Sequence, residues 1–138
     1  MDTGERASVA SPGTRARRHY RFATADLRET VAHDGDGRIL TCRVERRGAA
    51  ANFIDLTVVP PGASIGVHTH GPADEEIYVV VSGRGRMRLE AEELAVGPGD
   101  VVVNGRRGTH GLVNDGDEDL RLVVVEVPAA SLDDEARA

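Results

Sequence analysis

Tryptophan is absent from the 138 residues, and two tyrosines and two phenylalanines make up the whole aromatic content. Bases would find little to stack on, and 17 basic against 23 acidic residues leave a formal charge of −6, so nucleic acid is excluded as an expected partner. Cys42 is the only cysteine, which rules out an intramolecular disulfide and any thiolate cluster of the zinc-finger or iron–sulfur kind. A reduced, cytoplasmic setting is the expectation. No apolar run approaches a membrane span, and the leading MDTGERASVASPG has an acidic second residue and no signal-length apolar core. A soluble protein with no membrane partner is therefore expected.

Long helical periodicity is missing as well, and glycine and proline punctuate the chain instead. The length fits one domain. Residues 1–17 carry no hydrophobic period and are expected to be a flexible lead-in, with Arg15, Arg17 and Arg18 solvated; residues 18–128 form the domain, and 129–138 a fraying tail. Tyr20 and Phe22 alternate with polar neighbours, and 26–32 fits a helical turn or a short strand equally. His33 beside Asp34-Gly35-Asp36-Gly37 reads as an exposed turn histidine and not as a ligand. Neither the aspartates around it nor the run Asp115–Asp119 makes a calcium loop, because Ile39 and Leu120 stand where the sharp-turn glycine belongs.

Alternation predicts half-buried strands over 38–46 and 52–59, the second stopped by Pro60-Pro61-Gly62. Further strands are predicted over 76–82, 86–90, 93–96, 109–114 and 120–127, with a short buried one at 101–103. Nine or so short strands separated by Gly and Pro turns indicate an all-β sandwich or barrel.

The most informative stretch is Gly62 to Gly83, where His68 and His70 precede the acidic triplet Asp74-Glu75-Glu76. On an extended strand, residues i and i+2 face one way about 7 Å apart, so both imidazoles can lean onto one ion. Gly62, His68, His70, Glu76 and Gly83 resemble the first motif of the cupin superfamily, with one departure: five residues, not three or four, separate His70 from Glu76. Choosing Glu75 repairs that gap but breaks the spacing to Gly83. Glu76 is preferred because the distance to the turn glycine sets the strand face, and this turns Glu76, Tyr78 and Val80 inward. The extra residue is then a bulge or longer loop within Gly71-Pro72-Ala73-Asp74. Gly99 through His110 to Asn114 resembles the second cupin motif without a gap, except that Gly105 replaces the usual proline and Arg107 the usual glycine.

This resemblance to small single-domain cupins implies a double-stranded β-helix, a jelly-roll barrel, with one divalent transition metal (zinc, iron, manganese or nickel) held by His68, His70, Glu76 and His110. Three neutral imidazoles and one carboxylate suit such an ion and leave a site of net charge plus one with open positions. Tyr78, Thr109 and Asn114 are candidates to orient the rings, and Tyr78 is also the candidate catalytic acid. Arg86 and Arg88 are expected to face solvent, Arg106 and Arg107 to stand at the mouth, and Phe53, Asp55 and Thr57 to line the pocket or a dimer seam. The implied function is a metal-dependent enzyme acting on a small polar molecule, through an isomerase- or lyase-like rearrangement or a dioxygenase reaction. A looser resemblance is to small cupins of bacterial natural-product metabolism. The alternative is a non-catalytic binding or sensing cupin. A homodimer is expected, seated on the apolar outer face at Ile77, Val79 and Val81.

Overall fold

A computed structural model describes residues 18–46 and 51–129, so the expected lead-in over 1–17 and the tail from residue 130 lie outside the described residues. Ten strands follow in order: β1 (Arg28–Thr30), β2 (Ile39–Arg46), β3 (Phe53–Val59), β4 (Ser64–Thr69), β5 (Asp74–Ser82), β6 (Gly85–Leu89), β7 (Glu92–Val96), β8 (Val101–Asn104), β9 (Thr109–Val113) and β10 (Leu120–Pro128). The undecided segment 26–32 proves extended, with β1 followed by a bridge from Ala32 to Ile65. The only helical element among the described residues is a single 3₁₀ turn at Phe22–Thr24.

The strands form a six-stranded sheet, β1-β2-β3-β10-β5-β8, and a four-stranded sheet, β4-β9-β6-β7. From β4 onward the chain passes repeatedly from one sheet to the other, and all strand pairs are antiparallel, the arrangement of a double-stranded β-helix. The expected all-β barrel is therefore what the chain forms. Its interior packs Val59, Val80, Met87, Leu112, Leu120 and Leu122, each at most 2% exposed. Burying a side chain of this size stabilises by about 1.5–3 kcal/mol, so this layer holds the sheets together without any ion.

Burial departs from expectation at two strands of the six-stranded sheet, each for a physical reason. Leu56 and Val58, on the opposite face of β3 from Thr57 and Val59, are buried too, so β3 is covered on both sides. At the β8 edge the outer face is uncovered, and Val101 and Val103, expected to be buried, are 60% and 54% exposed while Val102 points inward. Val81 is exposed beside them, whereas Ile77 and Val79 are half-buried. Arg18, expected to be solvated, instead grips Glu45 through two nitrogens at 2.6 and 2.9 Å, and the Tyr20 hydroxyl donates to the same carboxylate.

Candidate metal centre

His68 owes its position to a bulge. In the pairing of β4 with β9, Ile65 opposes Leu112 and His68 opposes His110, so Gly66 and Val67 together face the single residue Gly111. The extra residue reverses the parity of β4, and Ile65 and His68, three apart, both face the interior. His70, just past the strand end, keeps the i+2 relation to His68, and its N–H donates to the carbonyl of Gly108. Gly111 is required by the close approach: a Cβ there would lie 2.9 Å from a Val67 methyl.

Glu76 arrives from the other sheet. The expected irregularity between His70 and Glu76 is a loop, Gly71–Ala73, that carries the chain across before β5 opens at Asp74. Along β5, Glu76, Tyr78 and Val80 are 8%, 3% and 2% exposed while Glu75, Ile77 and Val79 are half-buried, which is the register set by Gly83. The loop before His110 also bears out the motif: Arg107, standing where glycine is usual, adopts φ +59°, a left-handed conformation that favours glycine.

One ligand atom from each of His68, His70, Glu76 and His110 falls within a 4.8 Å cluster. Glu76 Oε1 lies 3.2 Å from His70 Nε2 and 3.4 Å from His110 Nε2. His68 donates from Nδ1 to the Gly66 carbonyl at 2.7 Å, which leaves Nε2 as its lone-pair nitrogen. The Nε2 atoms of His68 and His70 are buried with no hydrogen-bond partner, the short approach of Glu76 to His70 lacking hydrogen-bond geometry. Buried polar atoms are seldom left so, and two orphaned imidazole nitrogens beside a carboxylate fit a cation of the transition series.

Electrostatics favour the same protonation states. Burial pushes His68 down to about 4, with His110, His33 and His70 adding to the effect against the Gly66 hydrogen bond, so its ring is neutral near pH 7. Burial pushes the Glu76 carboxyl up, but the His110 hydrogen bond and the neighbouring histidines outweigh it, and the group stays below its ordinary value. In metal-free protein this has a measurable result. Between pH 6.5 and about 4 the unfolded chain protonates His68 and the folded chain does not, so acidification favours unfolding. Glu76 acts in the same direction, but only as the pH falls through the ordinary carboxylate value toward its lowered folded one, and His33, also lowered by burial, adds to His68. The melting temperature of chelator-treated protein is expected to fall from pH 6.5 to 5, and His68→Gln to flatten that fall; an equally steep fall in the variant contradicts the assignment.

Tyr78 shares the inward face, and its hydroxyl makes a long 3.5 Å contact with His110 Nε2 while the two rings meet edge to face. Burial first, and then the Glu76 charge, raise the phenol far above its ordinary value, so it remains a proton donor. The other two candidates for orienting the rings are engaged elsewhere. Asn114 donates to the carbonyls of Val59 and Glu118 and accepts from Gly116, clamping a loop, and Thr109 bonds Thr69 at 2.7 Å. Sequence proximity placed them near the histidines, but their polar atoms have other partners. Arg86 and Arg88 are exposed, as expected. Asp55 is bound by Arg43 at 2.8 and 3.0 Å, the Arg43 guanidinium lies 3.8 Å over the Phe53 ring, and Thr57 faces Thr41.

His33 was not anticipated at the site. It is exposed in its turn, as expected, but its ring stacks on His68 with centroids 3.5 Å apart and planes 8° from parallel. A left-handed φ of +51° and the close packing of its loop on β4 put it there. A separate groove of about 390 Å³ on the outer face of the four-stranded sheet is lined in part by Asp34, Asp36, Arg86, Arg88 and Glu93, and none of the four clustered ligand residues borders it.

A two-sheet barrel with three histidines and one glutamate gathered in its interior defines a class, the double-stranded β-helix proteins. The model of the cupin domain (Cupin_2) matches residues 55–126, and the chain belongs to the cupin family. It is 31% identical over 67 residues to the oxalate-binding protein of Thermotoga maritima, covering 49% of this chain and 54% of that protein. It is 32% identical over 77 residues to an uncharacterized Methanocaldococcus jannaschii protein, covering 56% of this chain and 61% of that one. The chain thus spans little more than half the length of the curated relatives it matches. Among solved structures, a predicted oxalate decarboxylase from Thermotoga maritima superposes with a TM-score of 0.74 at 23% identity, covering 78% of this chain and 96% of that chain. A cupin 2 conserved barrel domain protein from Salinispora arenicola does so with 0.64 at 26% identity, covering 88% and 98%.

Proposed function

We propose that this protein is a metal-dependent cupin enzyme that binds one divalent transition ion through His68, His70, Glu76 and His110 and acts on a small oxygen-bearing molecule. The observation that carries this reading is the pair of buried, unpartnered Nε2 atoms of His68 and His70 beside the Glu76 carboxylate. A bound ion supplies Lewis acidity toward a carbonyl or hydroxyl oxygen. The chain's own contribution is to keep His68 neutral, hold Glu76 ionised and present the Tyr78 hydroxyl as a donor that burial keeps protonated. A rearrangement of isomerase or lyase type uses such a donor directly. The names of two proteins similar to this chain, an oxalate-binding protein and a predicted oxalate decarboxylase, support a small carboxylate-bearing ligand.

Tyr78→Phe tests the catalytic part. With a substrate found by screening metal-loaded protein against small carboxylic and hydroxy acids by NMR, the variant is expected to keep its metal and fold. Its turnover falls roughly ten- to a thousand-fold, the range for losing one acid–base or stabilising donor. Unchanged turnover withdraws the role. The relative named for binding alone favours a second reading, a cupin that binds without turnover, and a screen in which compounds bind but none is converted selects it.

A further inference from the structure

Asn104 ends β8 on the inward face, after the alternation Val101 out, Val102 in, Val103 out. It is 1% exposed, and neither its amide nitrogen nor its amide oxygen has a hydrogen-bond partner. Its cross-strand partner is Glu76, whose own partner on the other side is Glu126. Antiparallel partners hold their Cβ atoms about 4.5–5.5 Å apart, so the amide stands one side chain away from the carboxylate that approaches His70 and His110. A buried amide left without both a donor and an acceptor partner is costly, and neither strand packing nor the core requires a polar residue there. A leucine, larger but branched in the same way, would occupy the position without an orphaned polar atom.

Resting on the metal-bound reading above, we infer that Asn104 is the specificity residue of the site and that the ligand is a singly charged 2-hydroxycarboxylate. The amide offers a donor and an acceptor together. A dicarboxylate such as oxalate presents acceptors only at neutral pH and leaves the amide oxygen orphaned. A carboxylate with a neighbouring hydroxyl satisfies both atoms.

Charge points the same way. The row Asn104–Glu76–Glu126 places two carboxyl groups on this side of the interior, and Asn52 ties Glu126 to a third, Asp74, at 3.1 and 2.8 Å. Arg43 is engaged by both oxygens of Asp55. With Glu76 balanced by the ion, a second negative charge directed at Asn104 would still stand on the side of Glu126 and Asp74, a repulsion that an uncharged hydroxyl escapes.

The test compares wild type with Asn104→Leu, both loaded with zinc and assayed by elemental mass spectrometry before calorimetric titration with glycolate and with oxalate. Expected is equal zinc in both proteins, glycolate binding weakened at least about tenfold in the variant, and oxalate binding changed less than about threefold or tightened. Equal glycolate binding in the two proteins, or an equal loss for both ligands, overturns the assignment and leaves the amide as a water-bridged core group. Zinc lost only from the variant makes Asn104 a metal ligand and overturns it as well. Wild type that takes up no zinc overturns the metal-bound reading itself, a result distinct from the others. Circular dichroism of the variant guards against misfolding, and Asn104→Asp, which keeps the acceptor and adds charge, is expected to weaken glycolate too; retention of full affinity there overturns the charge argument.

Discussion

Alanine at His68, His70 or His110 is expected to leave protein with less than a tenth of the wild-type metal after dialysis. Partners one step removed from an ion cost 10- to 100-fold in affinity, and direct ligands cost more, so a loss of about 100-fold or greater follows for each. The barrel should survive, because its packed layer of Val59, Leu120 and Leu122 does not touch the ligand set for its burial. Glu76→Gln should weaken the ion far more than Glu75→Gln, since only Glu76 sits inside the 4.8 Å cluster. Elemental mass spectrometry with far-UV circular dichroism measures both quantities. Full occupancy in any two histidine variants removes the site, and a larger effect at Glu75 reverses the register of β5.

Gly66→Ala is expected to damage fold and site together. A Cβ at residue 66 would lie 2.0 Å from the His33 carbonyl oxygen and 2.9 Å from the nitrogen of Gly35, both backbone atoms that no rotamer change can move aside. Overpacking typically costs 1–3 kcal/mol, and a backbone-on-backbone clash belongs at or above about 3 kcal/mol. The same shift moves the Gly66 carbonyl that receives the His68 Nδ1 proton and the His33 ring stacked on His68, so metal affinity should fall with stability. Gly71→Ala is the control, with nothing within 4 Å of its added carbon and an expected change within about 0.5 kcal/mol. Urea unfolding of the two variants decides it: a Gly66→Ala protein within 1 kcal/mol of wild type would mean that the 33–35 turn yields freely.

Strand parity explains what could be read in advance. The spacing of Glu76 from Gly83 fixed its face because side chains alternate strictly between a turn and the residues leading into it, and Glu76, Tyr78 and Val80 are indeed the inward set. The bulge at Gly66–Val67 broke that rule without leaving a residue-type signature, since Gly66 is equally consistent with an ordinary strand or a close approach. His33 depends on a turn packing against a strand thirty residues later, a long-range contact that local pattern does not encode. Asn104 carries a signal of its own: with Val102 inward, position 104 must also be inward, and a polar residue there is out of place in a core. Thr109 and Asn114 show the converse, polar residues adjacent to His110 in sequence whose atoms serve loop and strand contacts. Val101 and Val103 misled because burial of an edge strand's outer face depends on what lies over it, not on its own residues.

The ligand candidates do not belong to one sheet. His68 and His110 stand on the four-stranded sheet, His70 just past its β4 edge, and Glu76 on the six-stranded sheet. An ion shared among them, as proposed above, would be a rivet through the sandwich, and its residence time would be tied to the breathing of the two layers. Any opening wide enough to admit solvent between β5 and β9 must let go of Glu76 or of the imidazoles, so amide exchange in those strands and escape of the ion would share one rate-limiting motion.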